Sequence, residues 1–329
     1  MSTDTDSDTA ITAGVARADR VRDRRVRRTL FGCAAITVVT TLAIFAVLVD
    51  NGFSYFYGVK LHEAVLGATL DQQVSLTEFV TGTRWAPDHA RPSHGILPIV
   101  YGTLAITVGS AFVSIPIGTA TAIYLSEYAS PGVRSKLKPT LEVLAGIPTI
   151  VYGFFAISFV TPFFISPAGD LLGYNAGRYN LLAGCIVVGV MTIPMVSSLS
   201  EDAMSAVPDD LRNAAYGLGA TKFDVSLRVV LPASISGVFA SYILAVSRAI
   251  GETMAVTLAA GQQAQITGNP FNEIMTMTAY MVSMARGESA VGTVEYQSLF
   301  AVGMVLFVMT LTMNLINDWI KRRYREVYQ

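Results

Sequence analysis

The sequence predicts an all-α polytopic membrane protein with six transmembrane helices and both termini in the cytoplasm. Three observations predict it. The chain of 329 residues is 52% hydrophobic and only 14% charged, too apolar for an ordinary soluble domain. Apolar stretches long enough to cross a bilayer core recur at residues 29–49, 96–124, 140–162, 179–200, 233–261 and 299–320. The cations between them are unevenly shared. Seven between residues 17 and 28, then Arg134, Lys136 and Lys138, then Arg212, Lys222 and Arg228, and finally Lys321, Arg322, Arg323 and Arg325 fall on the side of the N-terminus. The opposite side holds only Lys60, Arg84, Arg91, Arg178 and Arg286. The positive-inside rule then makes the N-terminal side cytoplasmic. The net charge of −1 says nothing about partners, and no nucleic-acid partner is expected.

Residues 1–28 read as a cytoplasmic tail: a Ser/Thr/Asp-rich start whose composition predicts disorder, then the basic run RADRVRDRRVRR. The following apolar stretch is longer than the 7–15-residue core of a signal peptide, and no A-x-A-like site follows. It is therefore expected as an uncleaved first transmembrane helix, 29–49. Residues 50–95 are expected as a polar extracytoplasmic loop with Trp85, Pro87, Pro92 and all three histidines, His62, His89 and His94. The histidine spacing matches no metal-ligand pattern, which predicts solvated loop histidines. Cys33 and Cys185 each fall within an apolar span and support neither a disulfide scaffold nor a metal site. The core, 96–320, carries the other five spans, and 321–329 is a basic cytoplasmic tail.

Prolines recur in similar settings at Ile115-Pro116, Ile147-Pro148 and Ile193-Pro194. A proline deletes a backbone hydrogen bond, which is tolerated at membrane depth where neighbours or cavity water satisfy the freed carbonyl. Ordinary kinking is the alternative. The segment AGIPTIVYG, 145–153, with Pro148, Thr149 and Tyr152, is the candidate for a second pathway-lining element.

Within 233–261 every residue is neutral except Arg248 and Glu252. An arginine near the middle of such a helix costs roughly 2.5–3.5 kcal/mol on insertion scales. On one continuous helix the i, i+4 spacing stacks the two side chains on one face, so Glu252 partly neutralises Arg248 and both look into a wet cavity. A buried ion pair that only fixes helix packing is the alternative.

The connection 201–232 carries more information. Pro208, Asp209 and Asp210 suit a helix start, Leu211, Ala214, Ala215 and Leu218 make a short apolar stripe, and Gly217 and Gly219 end it. Thr221 caps a second turn, which Leu231-Pro232 stops. This knob is too small to bury its apolar face alone, so docking into a groove on another protein is expected. Ser135 and Lys138 match S-x-x-K without companion motifs, which reads as chance in a topology-setting basic loop.

Ala214-Ala215-x-x-x-Gly219 followed by Val229-x-Leu231-Pro232 resembles the EAA loop of ABC-importer permeases, with Asn213 where the family usually has Glu. Ser247-Arg248-Ala249-Ile250-Gly251-Glu252-Thr253-Met254 resembles the RAIGET signature of phosphate permeases. The stretch 293–328 resembles the C-terminal end of the PstC-type subunit rather than the PstA-type, and GILPIVYGTLAITV and AIYLSEYASP within 95–131 fit the same family. The resemblance implies the type I ABC-importer permease fold in the cell membrane. It also implies a coupling loop carried by Leu211, Asn213, Ala214, Ala215, Gly219, Leu231 and Pro232.

The implied partners are a PstA-type second permease, a PstB-type ATPase homodimer and an extracytoplasmic PstS-type phosphate-binding protein. No G-x-x-x-x-G-K-[ST] loop occurs, so ATP and Mg are expected to be used by the separate ATPase, with no cofactor and no enzymatic activity in this chain. The implied substrate is inorganic phosphate, with Arg248 as fixed cation. Glu252 then either accepts a hydrogen bond from the protonated P–OH, or pairs with Arg248 when the site is empty. A permease for sulfate or molybdate would share the topology and the loop. An ion-coupled carrier or channel would not need the knob.

Overall fold

The computed structural model describes residues 5–65, 73–87, 89, 91–287 and 293–323. Helix α1 (Thr5–Tyr57) runs unbroken through the basic segment into the first apolar span. Alanine and arginine are strong helix formers, and residues 5–28 hold no proline and one glycine, Gly14. Residues 1–4, and the end of the basic tail from 324 to 329, lie outside the described residues.

The region expected as a polar loop is a folded cap. Two short helices, α2 (Leu61–Val65) and α3 (Leu76–Thr81), lead into the antiparallel pair β1 (Trp85–Ala86) and β2 (Ser93–His94). Val74, Phe79 and Trp85 are buried against Tyr55 and Phe56 of α1, with Ile96, Ile99, Met277 and Tyr280 completing an apolar cluster. Aromatic edges meet faces along it, Tyr55 on Phe79, Phe79 on Trp85 and Trp85 on Tyr280. His94 is accordingly half-buried rather than solvated, its Nδ1 2.8 Å from the Tyr55 hydroxyl. His62 is exposed and pairs with Asp50 at 2.9 Å.

Helix α4 (Leu97–Ile123) continues through a π turn, Tyr124–Tyr128. Helix α5 (Pro131–Ala145) buries no residue. After a break at Gly146-Ile147-Pro148, α6 (Thr149–Phe155), a π-helical run Ala156–Ile165 and α7 (Ser166–Leu172) form the third span. The expected 140–162 is thereby shifted toward the C-terminus. Pro162 lies in the π run, where its missing N–H is accommodated. Asn180 caps α8 (Leu181–Ser205), its side-chain oxygen accepting from the Ala183 N–H at 2.8 Å.

Helices α4 and α8 are the centre of the bundle, and small residues let them approach. A Cβ at Gly109 would lie 2.2 Å from Cys185 Sγ, and one at Gly118 would lie 2.7 Å from the Val196 side chain.

Helices α9 (Asp209–Gly217), α10 (Lys222–Val225) and α11 (Leu231–Ala233) make the knob, with a π turn, Ser226–Val230, joining the last two. Pro232 does not stop the chain's helical path. A bend of 73° between Lys222–Ala233 and Ile235–Ile250 does, falling at Ser234. Helix α12 (Ile235–Ile250) is followed by α13 (Met254–Ala259), an irregular stretch, α14 (Met277–Arg286) and α15 (Val294–Arg323). Among the described residues five helices are long and apolar enough to cross a membrane, or six if the bent pair is one span.

Candidate functional site

Arg248 and Glu252 do not share a helix. Helix α12 ends at Ile250 with Gly251 as its C-cap, and Glu252 stands in the break before α13. The expected i, i+4 stack is therefore lost, and no ion pair joins the two side chains among the described residues. Glu252 is instead buried, its Oε1 accepting from the Ala255 N–H at 3.2 Å and so capping the next turn. Its backbone carbonyl accepts from the Thr278 hydroxyl at 2.7 Å. Glycine at 251 is a weak helix former, and the carboxylate offers the following turn an alternative donor sink.

Arg248 lies in the last turn of α12, where the carbonyl end of the helix favours a cation. Its Nε is buried without a hydrogen-bond partner. Next to it, Ala249 packs with Ile106, Cys185, Val188 and Met191. Val188 is about 10 Å along α8 from its first residue at 1.5 Å per residue, so the guanidinium springs from well inside the bundle. Tyr152 packs on the same cluster, lies within electrostatic range of Arg248, and donates its hydroxyl to the Leu144 carbonyl at 3.0 Å. Pro148 is the N-cap of α6 and Thr149 its first residue. A Cβ at Gly153 would lie 2.8 Å from Leu258 Cβ, so α6 and α13 touch closely. The structure thus packs Tyr152 on the cluster that contains Ala249, the residue next to Arg248; Pro148 and Thr149 make the break at which α6 starts.

The knob divides its apolar stripe. Leu211 and Ala215 pack inward with Leu231 on a cluster of Ala122, Met204, Val207, Val225, Val230 and Val238. Leu218 is 90% exposed, with Tyr216 and Phe223 also exposed. Asn213 and Ala214 are exposed as well. Gly219 holds φ +85°, a left-handed turn that glycine adopts without strain. Thr221 caps α10 as expected, accepting from the Asp224 N–H at 3.2 Å.

Charges are also buried outside α12 and the break that follows it. Glu201 on α8 is fully buried, taking Lys138 Nζ at 2.6 Å, Arg134, and the Ser205 hydroxyl at 2.9 Å. Lys138 also meets Asp202. Burial opposes the Lys138 charge, but its bonds to Asp202 and Glu201 outweigh that and raise its pKa. This occupies the lysine of the Ser135/Lys138 pair, and Ser135 donates to the Gly132 carbonyl at 3.1 Å instead. Glu127, 5% exposed, accepts from Arg212 at 3.0 Å. These pairs join residues 67 and 85 positions apart, so no local spacing announced them.

The arrangement is a transmembrane bundle with a half-buried cation that has no ion-pair partner among the described residues, a broken helix beside it and an apolar knob at one end. It has the fold of an ABC-transporter permease. A chain of the bacterial alginate ABC transporter, crystallised with an alginate pentasaccharide-bound periplasmic protein, superposes with a TM-score of 0.58 at 14% identity, covering 92% of this chain and 96% of that one. A chain of the inward-facing MetNI methionine ABC transporter gives 0.55 at 18% identity over 70% and 96%. Residues 114–326 match the family described as binding-protein-dependent transport system inner membrane component, and the chain belongs to it. Its relatives are transport subunits of the inner membrane rather than enzymes. It is 32% identical to the probable ABC transporter permease protein YqgH of Bacillus subtilis over 93% of this chain and 96% of that protein. It is 31% identical to the phosphate transport system permease protein PstC of Mesorhizobium japonicum, over 88% and 90% respectively.

Proposed function

We propose that this chain is the PstC-type permease subunit of an ATP-driven importer of inorganic phosphate. It contributes half of the translocation pathway, and its knob couples that pathway to a separate ATPase. The observation that carries the reading is Arg248: a half-buried arginine whose Nε is buried without a hydrogen-bond partner and whose guanidinium has no ion-pair partner among the described residues. A cation left unneutralised inside an apolar bundle is costly unless something anionic meets it. A tetrahedral oxyanion suits its planar fork, which binds two oxygens at once and does not lose its proton. The similarity to several phosphate permeases supports phosphate as that anion.

Glu252 takes a different role from Arg248 here. Its Oε1 is committed to the Ala255 N–H, so it shapes the break that ends α12. One oxygen stays available to accept from a protonated P–OH, which sulfate lacks. The knob end is the cytoplasmic one in this reading, with both termini on that side and the cap outside. Tyr216, Leu218 and Phe223 dock into the PstB-type ATPase dimer, which uses ATP and Mg. A PstA-type permease completes the pathway, and a PstS-type protein delivers phosphate to the cap side. Closure of the ATPases moves the knob and rocks the bundle around Arg248.

The test is ATP-dependent uptake of radiolabelled phosphate and sulfate into proteoliposomes holding the complete complex, wild type against Arg248→Ala. Phosphate-selective uptake lost in an assembled mutant supports the reading. Uptake at the wild-type rate sinks it, and sulfate uptake matching phosphate would make the chain a permease for another oxyanion.

A further inference from the structure

Among the described residues no carboxylate pairs with the Arg248 guanidinium, so its position depends on what packs around it. One neighbour, Tyr152, is itself tethered. Its ring lies on the cluster containing Ala249 and Val256, and its hydroxyl reaches back across the Gly146-Ile147-Pro148 break to the Leu144 carbonyl, 3.0 Å away. That carbonyl belongs to the last turn of α5, where it also accepts from the Ile147 N–H at 3.2 Å, so the tyrosine hydroxyl is its second donor. The hydrogen bond therefore ties the Arg248 environment to the end of α5.

Helix α5 buries no residue, so apolar packing does not fix it. It is fastened instead by Arg134 and Lys138 to the fully buried Glu201, with Arg134 also donating to the Ser205 hydroxyl at 2.8 Å. Glu201 and Ser205 lie in the last turns of α8. Between them, the Met204 carbonyl accepts from Arg212 of the knob at 2.9 Å. Knob, end of α8, α5 and Tyr152 are thus joined by polar bonds with discrete geometry.

We infer that Tyr152 is a positioning residue for Arg248, and that α5 is the strut that holds it, anchored through Lys138 and Arg134 at Glu201. A shift of the knob reaches Tyr152 through this strut as well as through the bent helix α11–α12. The inference rests on the reading of Arg248 as the anion's cation.

Two readouts on the complete reconstituted complex test it. The first is inorganic phosphate moved per ATP hydrolysed, for Tyr152→Phe, Glu201→Gln and the double variant. Tyr152→Phe is expected to lower the ratio about tenfold, the worth of one hydrogen bond, Glu201→Gln by at least as much because it cuts two ion pairs, and the double to match the more damaging single. Unchanged singles, or a double equal to their product, overturn the strut. Glu201→Gln leaves two cations facing a neutral side chain and can fail to assemble, in which case Lys138→Met replaces it in the same cycle.

The second readout is independent of transport: the labelling rate, by a small thiol reagent, of the cysteine introduced by Gly251→Cys, with Cys33→Ser and Cys185→Ala in the background. Position 251 is exposed, and a Cβ there meets only carbonyl oxygens at 3.9 Å. Tyr152→Phe and Lys138→Met are expected to change this rate by the same factor. If Arg248→Ala abolishes uptake while neither variant moves the rate or the ratio, the strut alone falls. If Arg248→Ala transports normally while both variants move the rate, the anion-site reading falls and the strut stands.

Discussion

Replacing Arg212 by methionine should free the knob from the membrane bundle. The guanidinium donates to Glu127 Oε1 from Nη2 at 3.0 Å and from Nε at 3.3 Å, to the Met204 carbonyl at 2.9 Å and to the Val207 carbonyl at 2.5 Å. A fifth contact, to the 88% exposed Asp209, is solvent-screened and adds little. Methionine keeps the packing volume but leaves the 5% exposed Glu127 with only the Ser126 hydroxyl as donor, at 3.0 Å. Removing one partner of a buried ion pair costs about 3–5 kcal/mol. Even the lower end raises local opening about a hundredfold, since each 1.4 kcal/mol is a factor of ten. Hydrogen exchange of the α9 amides in the purified chain reads this directly, because protection there follows the opening free energy. The amides of α8 near Val188 should keep their rates, showing that the change is local. Adding Glu127→Gln should recover part of the loss by removing the stranded charge. Acceleration of α9 by less than about threefold would refute the clamp, as would equal acceleration of the whole bundle.

Gly219→Trp should abolish phosphate transport while the chain still inserts and assembles, because φ +85° strains any side chain there and the indole blocks the docking face; normal coupling of ATPase to transport would count against docking. Leu218→Ser should weaken ATPase co-purification without altering the thermal stability of the isolated chain, since Leu218 touches almost nothing in its own fold. Gly102→Val should fail to fold stably, read as loss of the monodisperse peak in detergent, because even a Cβ would sit 2.1 Å from the Met275 carbonyl. The cap should loosen in acid. Burial holds the His94 pKa below its ordinary 6.5 despite Glu78 and Glu295, so the unfolded cap binds more protons. The stability contributed by neutral His94 is complete above pH 6.5 and is lost as pH falls from there toward the depressed value. Proteolysis of the 76–94 region should accelerate over that window in wild type and lose this pH dependence in His94→Gln.

Hydropathy made the spans legible because membrane depth imposes a composition as well as a pattern. It placed α8 and α15 to within a few residues. It failed where a polar or small residue works through a distant partner. The 50–95 segment counts as polar, yet Phe79, Trp85 and Val74 find Tyr55, Ile99 and Tyr280, and their shared burial folds it. Glu201 sat at the edge of a span as one acid among several. Only folding shows that α5 brings Arg134 and Lys138 to it. The Phe53 to Trp85 aromatics, spaced through a supposed loop, were the one signal in the sequence that a cap existed.

The break at Gly251 is the more instructive difference, because it changes what Arg248 can do. On a continuous helix Arg248 and Glu252 neutralise each other, and an anion entering the site must first break that pair. With α12 ended at Ile250, one carboxylate oxygen is spent on the Ala255 N–H and the guanidinium keeps its fork. Broken helices at membrane depth occur where backbone and charge face a cavity or neighbouring protein rather than lipid. Arg248 therefore depends on elements outside its own helix for its position. Glu252→Gln discriminates between the two arrangements. If the carboxylate only shapes the break, glutamine's amide oxygen still accepts from Ala255, and phosphate uptake should persist near the wild-type rate. If it masks Arg248, phosphate should be retained more tightly and release slowed; if its second oxygen reads P–OH, sulfate uptake should rise.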